Sequence, residues 1–200
     1  MSSRFDNRTV DTFKKQIKFS TQLEKYFFYK WIDVCENKKH ISIKNPRNNG
    51  VDNTGEFIAS GKTSGADYLV DFKYKQKSFK DMPIEIKWVP TYGKLTLKVG
   101  DLKAYIRERA AILFIYHSSP SSLDLRLPKD YNLEQHIEAI EANSDLKWGL
   151  MTPDTVESFL THAQDNNLVK SIHYMGNKPG IVLKQNNFSD WLIEESWDWK

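Results

Sequence analysis

Asp67, Asp71, Glu85 and Lys87 are the residues whose types and spacing could do chemistry. They lie in two apolar-rich runs, Tyr68 to Tyr74 and Pro83 to Val89, on either side of a basic, polar segment. This pattern predicts a β-hairpin with a long or bulged connection. Side chains alternate along a strand, so Glu85 and Lys87 share one face while Ile84 and Ile86 enter a core. Asp67 and Asp71 also share a face. Antiparallel pairing therefore gathers an Asp, a Glu and a Lys on one side of a two-stranded ribbon. Carboxylates held that close repel each other, and a divalent cation relieves the repulsion. Hard oxygen ligands suit Mg²⁺, with Mn²⁺ as a substitute.

The stretches Gly-Ala-Asp67 and Ile-Glu85-Ile-Lys87, 18 residues apart from Asp67 to Glu85, resemble the motif of the PD-(D/E)XK nuclease superfamily. Ala66 stands where that motif has its proline. The resemblance covers about residues 20 to 117. It implies a restriction-endonuclease-like α/β core, with a mixed sheet flanked by helices. It also implies hydrolysis of DNA phosphodiester bonds, most simply by an endonuclease. Asp67, Glu85 and the backbone carbonyl of Ile86 would hold Mg²⁺, and Lys87 would assist the attacking water. Such enzymes often pair to cut two strands, so the resemblance also implies a homodimer. The rival reading is a catalytically inactive nucleic-acid-binding or protein-interaction module on the same fold.

Asp71 competes with Asp67 for the metal, because strand register is not legible to one residue. Glu24 is a further catalytic candidate, since many nucleases of this superfamily carry an acid on the first helix. Thr21-x-x-Glu24 also reads as a capping box, which explains Glu24 without catalysis. Lys73, Lys75, Lys77 and Lys80 decorate the hairpin connection. Together with Lys98 and Lys103 they are candidates for phosphate contacts. Gly61-Lys62-Thr63 is no phosphate loop: Glu56 stands where a glycine is needed, and the following residues read as a strand. The five histidines form no zinc pattern, and His117 reads as a core or edge histidine.

These residues need elements to position them. Leu23, Phe27, Trp31, Val34 and Cys35 make an apolar stripe that predicts a helix over 21–36, with a short helix over residues 1–19 before it. A strand is expected over 40–44, then a turn-rich loop over 45–55 and a short strand at 57–59. Beyond the hairpin the pattern predicts an extended segment 94–99, a helix 101–109 and a doubly buried strand 111–116. Further on, an edge strand is expected at 123–127 and a helix over 131–143. Thr152-Pro153 opens a helix to about 165. A second hairpin is expected over 170–184, and the aromatic tail reads as packing.

Two hundred residues, 40% of them hydrophobic and 28% charged, suit one globular domain. Residues 118–200 are read as a smaller α+β extension of it. A net charge of +3 permits nucleic-acid binding without demanding it. The single cysteine, Cys35, allows no internal disulfide. With no signal-type apolar core and no run of membrane-span length, the expectation is a cytoplasmic protein.

Overall fold

The structure is a computed structural model and describes residues 10–49, 65–89, 94–117, 132–142, 146–173, 176–184 and 189–196. The expected strands at 57–59 and 123–127, the Gly61 to Thr63 segment and the Trp197–Trp199 tail lie outside those residues.

The first helix, α1, runs from Val10 to Glu36 without a break. It starts eleven residues before the expected boundary at residue 21. Between Val10 and Thr21 there is no glycine or proline to stop it, and good helix formers such as Lys14, Lys15 and Gln16 fill the turns. Phe19, Leu23, Phe27 and Trp31 form a fully interior row at four-residue spacing. Each such burial contributes about 1.5–3 kcal/mol. Rings lock the helix to the sheet below: Phe28 stacks on Tyr68 with centroids 3.8 Å apart, and Phe27 meets Trp88 edge-on at 5.2 Å.

Strand β1 (Ile41–Asn48) pairs antiparallel with β2 (Tyr68–Tyr74), and β2 with β3 (Lys77–Trp88). Pro46 has no N–H to donate and lies on β1, the edge of the sheet, where the ladder also bulges. The hairpin connection is tighter than expected. Lys75 and Gln76 make the turn, with Lys75 at φ 53°, and the polar segment after it is strand. Phe79 opposite Phe72 anchors that segment, and the predicted irregularity is a bulge between Val70 and Phe72.

Strand β4 (Lys94–Lys98) and helix α2 (Val99–Glu108) then cross over to β5 (Ala111–His117), which runs parallel to β3. Residues 111 to 116 are at most 2% exposed, as expected of a strand covered on both faces. Helix α3 (Leu133–Glu141) follows. Strand β6 (Leu146–Met151), which the sequence reading does not assign, pairs with β5. Helix α4 (Pro153–Asp165), β7 (Val169–Ile172), β8 (Lys178–Lys184) and, after a 3₁₀ turn at Ser189–Trp191, β9 (Ile193–Ser196) complete the order.

The main sheet is mixed and six-stranded, in the order β1-β2-β3-β5-β6-β9. One face packs on α1 and α3. The other carries a second core with α2, α4 and a three-stranded sheet ordered β4-β8-β7. The protein is α/β. Residues beyond 118 contribute two strands to the main sheet and two to the second sheet. No described helix is long and apolar enough to cross a membrane.

Candidate active site

The β2–β3 ladder ends at Tyr68 opposite Ile84. The next N–H on that side of β3 belongs to Ile86, and it donates to the Asp67 carboxylate at 2.8 Å. Asp67 thus takes the place of a backbone acceptor. Its own main chain is held from the β1 side. The Asn49 N–H donates to the Asp67 carbonyl at 3.1 Å, and the Asn49 amide donates to the Ala66 carbonyl at 3.2 Å.

Glu85 and Lys87 lie opposite Ile112 and Phe114 of β5, on the face turned toward α2. Ile84 and Ile86 point the other way and are buried against α1, as the alternation predicts. Glu85 is 8% exposed. The Lys87 ammonium donates directly to its carboxylate and lies 5.9 Å from the centre of the Tyr105 ring.

The electrostatics join these groups into one site. Burial, then the neighbouring Glu85 charge, push Asp67 up to about 7, while Lys87 and the Ile86 N–H pull the other way. Burial acts to lower Lys87, but Glu85, Tyr105 and Asp67 outweigh it and hold the ammonium well above its ordinary range. Glu24 reaches the same cluster from α1. Burial and the Asp67 charge raise it well above the usual carboxylate range, Lys87 opposes them, and Glu85 adds to the rise. The Trp88 indole N–H favours the ionised form of Glu24, although it is too far or too oblique to make a full hydrogen bond. Tyr68 and Tyr105 are both raised, chiefly by burial, with carboxylates of the cluster adding to it.

The capping-box reading of Glu24 is overturned. Thr21 and Glu24 lie in the interior of α1, more than two turns from its start at Val10, so no free helix terminus exists there to cap. Asp71 stands apart. Its carboxylate accepts from the Asn45 amide at 2.6 Å and the Asp81 N–H at 2.9 Å, and these bonds lower it. Its ladder partner is Lys44 of β1.

The lysines divide in two. Lys73, Lys75 and Lys77 are exposed around the hairpin turn, six to ten residues along the strands from Asp67 or Lys87. At about 3.3 Å per residue they sit roughly 20–30 Å from the site. Lys80 is exposed farther along β3, and Lys103 is exposed on α2. Lys98 instead borders a cleft of ≈ 240 Å³ beside the site, together with Glu24, Lys87, Trp88, Asp101 and Tyr105. The sequence reading places Tyr105 on the apolar face of its helix and Trp88 at the end of its strand. Neither is singled out there, because an aromatic at core spacing carries no mark of a neighbouring charge cluster. The His117 side chain lies outside the described residues.

The donor chemistry suits a hard divalent cation. Three carboxyl groups face a single ammonium, and two of them have their protons held by burial and mutual repulsion. Among the described residues, no cluster of three or more His, Cys, Asp or Glu side chains is arranged to hold a metal. The ligand set that the resemblance implies is Asp67, Glu85 and the Ile86 carbonyl, with waters and substrate oxygens to complete it, as Mg²⁺ tolerates. Comparison with protein-family models, curated proteins and solved structures finds no match.

Proposed function

We propose that the chain is a Mg²⁺-dependent deoxyribonuclease of the PD-(D/E)XK type, acting as an endonuclease. The observation that carries this reading is the convergence of Asp67, Glu85 and Lys87 at the end of the β2–β3 ladder, joined by Glu24, beside a cleft that Glu24 and Lys87 line. The order α1-β1-β2-β3-β4-α2-β5, with β5 parallel to β3 and β4 set aside in the second sheet, supports a restriction-endonuclease-like core.

A divalent cation bound at Asp67 and Glu85 would polarise the scissile phosphate and acidify a bound water. The chain's own residues do the rest. The Ile86 N–H fixes the Asp67 carboxylate, and β3 holds Glu85 beside it. Lys87 stays charged and offers its protons where the attacking oxygen and the phosphate gain negative charge. Glu24 adds a third carboxylate to order waters at the same place. A homodimer would let two such sites cut two strands.

The test is incubation with supercoiled, linear, branched and single-stranded DNA, with and without Mg²⁺ or Mn²⁺, beside RNA controls. Metal-dependent strand scission that Asp67→Ala and Glu85→Ala both remove is the expected result. Absence of cleavage, together with absence of Mn²⁺ binding by the parent chain, ends the reading. Mn²⁺ binding without cleavage of any substrate favours the inactive binding module.

A further inference from the structure

We propose that the outer face of the second sheet, on β4, β8 and β7, is where the backbone of duplex DNA lies as it enters the site. This inference rests on the nuclease reading and locates its substrate away from the hairpin, where the sequence puts four of its six candidate phosphate contacts, Lys73, Lys75, Lys77 and Lys80.

The three strands carry five lysines and no Asp or Glu. The chain as a whole is nearly balanced, with 29 basic and 26 acidic side chains. Register sorts the strands into two faces. Leu95, Leu97, Ile181 and Leu183 point into the second core and are buried. The alternate positions point outward. Lys98 of β4 and Lys170 of β7 both lie opposite Gly180 of β8, so the three form one row across the sheet. Lys178 lies two residues along β8 on the same face, and Thr96 lies opposite Val182 two residues the other way. Lys170 and Lys178 are exposed, and Val182 is 47% exposed.

Gly180 makes room in the middle of the row for the buried side chain of Ile172, which stands on the same outward face. A Cβ there would lie 2.8 Å from Cγ1 of Ile172 and 3.2 Å from the Leu97 carbonyl oxygen, so no larger residue fits without movement. Lys98 and Lys170 flank this low strip, in which Ile172 packs over Gly180, with Cα atoms roughly 10 Å apart, two strand spacings. Ammonium groups bordering such a strip suit a polyanion with regularly spaced charges.

The face is continuous with the site. Strand β4 is the edge of its sheet, and Thr96 and Lys98 belong both to the outer face and to the wall of the cleft that Glu24 and Lys87 line. Asp101, 3.6 Å from Lys98, partly offsets that one lysine, whereas Lys170 and Lys178 have no acid on their own strands. A duplex following the row from Lys170 to Lys98 arrives at the cleft that Glu24 and Lys87 line.

The experiment compares two double charge reversals of equal size, Lys170→Glu with Lys178→Glu, and Lys73→Glu with Lys75→Glu. Binding of a labelled 30-base-pair duplex is followed by anisotropy against salt in EDTA, where no strand is cut, and cleavage is followed in Mg²⁺. The sheet pair should weaken binding by about tenfold or more near 0.1 M salt and reduce the salt slope by roughly two. It should raise KM with kcat close to the parent's, and melting should be unchanged. The hairpin pair should change affinity much less. Lys170→Gln with Lys178→Gln should fall between the parent and the reversal. Equal losses from both reversals, or no loss from the sheet pair in a parent that binds and cuts DNA, overturn the inference alone. A parent that neither binds nor cuts DNA removes the nuclease reading and this inference with it.

Discussion

The backbone N–H of Ile86 donates to the Asp67 carboxylate at 2.8 Å, so the strand bearing Glu85 and Lys87 also holds the third group of the site. The bond joins the bend just before β2 to strand β3 and fixes the carboxylate at the end of the ladder. It also lets one residue be neutralised while its position is kept, because an asparagine oxygen accepts the same N–H.

That exchange gives the first prediction. Asp67 titrates near 7 in the folded protein, against an ordinary value of 3.8. Between those values the folded state holds a proton that the unfolded chain has released. The group's contribution to stability is therefore greatest below about pH 4, falls as pH rises toward 7, and is level above that. In EDTA at pH 8, Asp67→Asn should stabilise the protein by about 1–2 kcal/mol after solvent screening, or about 3–6 °C in Tm. The variant should lose cleavage. Calorimetry from pH 4 to 8 checks this, and an Asn variant that is less stable than the parent at pH 8 contradicts the repulsion argued here.

Lys87 donates to Glu85 in the structure, and on the nuclease reading its value lies in the transition state. Lys87→Ala should lower kcat by on the order of 10²–10³-fold while DNA affinity stays within a few-fold of the parent. Single-turnover cleavage at saturating DNA measures it. A parent-like rate would remove Lys87 from the catalytic set.

Glu24 can be tested cleanly, because its position inside α1 leaves no cap to lose. Glu24→Gln should raise the Mg²⁺ concentration for half-maximal rate several-fold, with partial recovery at high Mg²⁺ and no loss of thermal stability. An unchanged Mg²⁺ curve would leave Asp67, Glu85 and Lys87 as the whole set.

Trp31 is fully buried among Phe28, Phe72 and Trp148, where α1 crosses the sheet. Trp31→Ala should cost about 3–5 kcal/mol in urea unfolding, since the surrounding rings cannot close the cavity. A loss under 1 kcal/mol would show that α1 is held by other contacts.

The elements that position the site were legible because period and burial agree in them. Leu23, Phe27 and Trp31 repeat at four residues, Glu85 and Lys87 alternate with Ile84 and Ile86, and residues 111 to 116 are apolar throughout. Boundaries were less legible. Thr21-x-x-Glu24 has the composition of a helix start, yet the helix runs through it because nothing upstream breaks it. The segment after Gln76 is polar and reads as a loop, but the Phe72–Phe79 pairing decides it. Strand β6 is six residues with Gly149 within it, too short and interrupted to show a period. Charge convergence at the site was half legible. The strand pattern brings Asp67, Glu85 and Lys87 together, whereas Tyr105 and Trp88 join them through tertiary packing that no local pattern encodes.

The sheet that walls the cleft is built from distant parts of the chain. Strand β4 closes at residue 98, but its partner β8 ends at residue 184. On a ribosome the carboxylates and Lys87 emerge early, and β5 can pair with β3 soon afterwards. The cleft wall must wait for β8 to be made. A nascent or truncated chain ending before β8 would hold the carboxylates and Lys87 without the face proposed to guide a duplex to them. On the nuclease reading, synthesis itself would thus delay the approach of DNA until β8 has emerged.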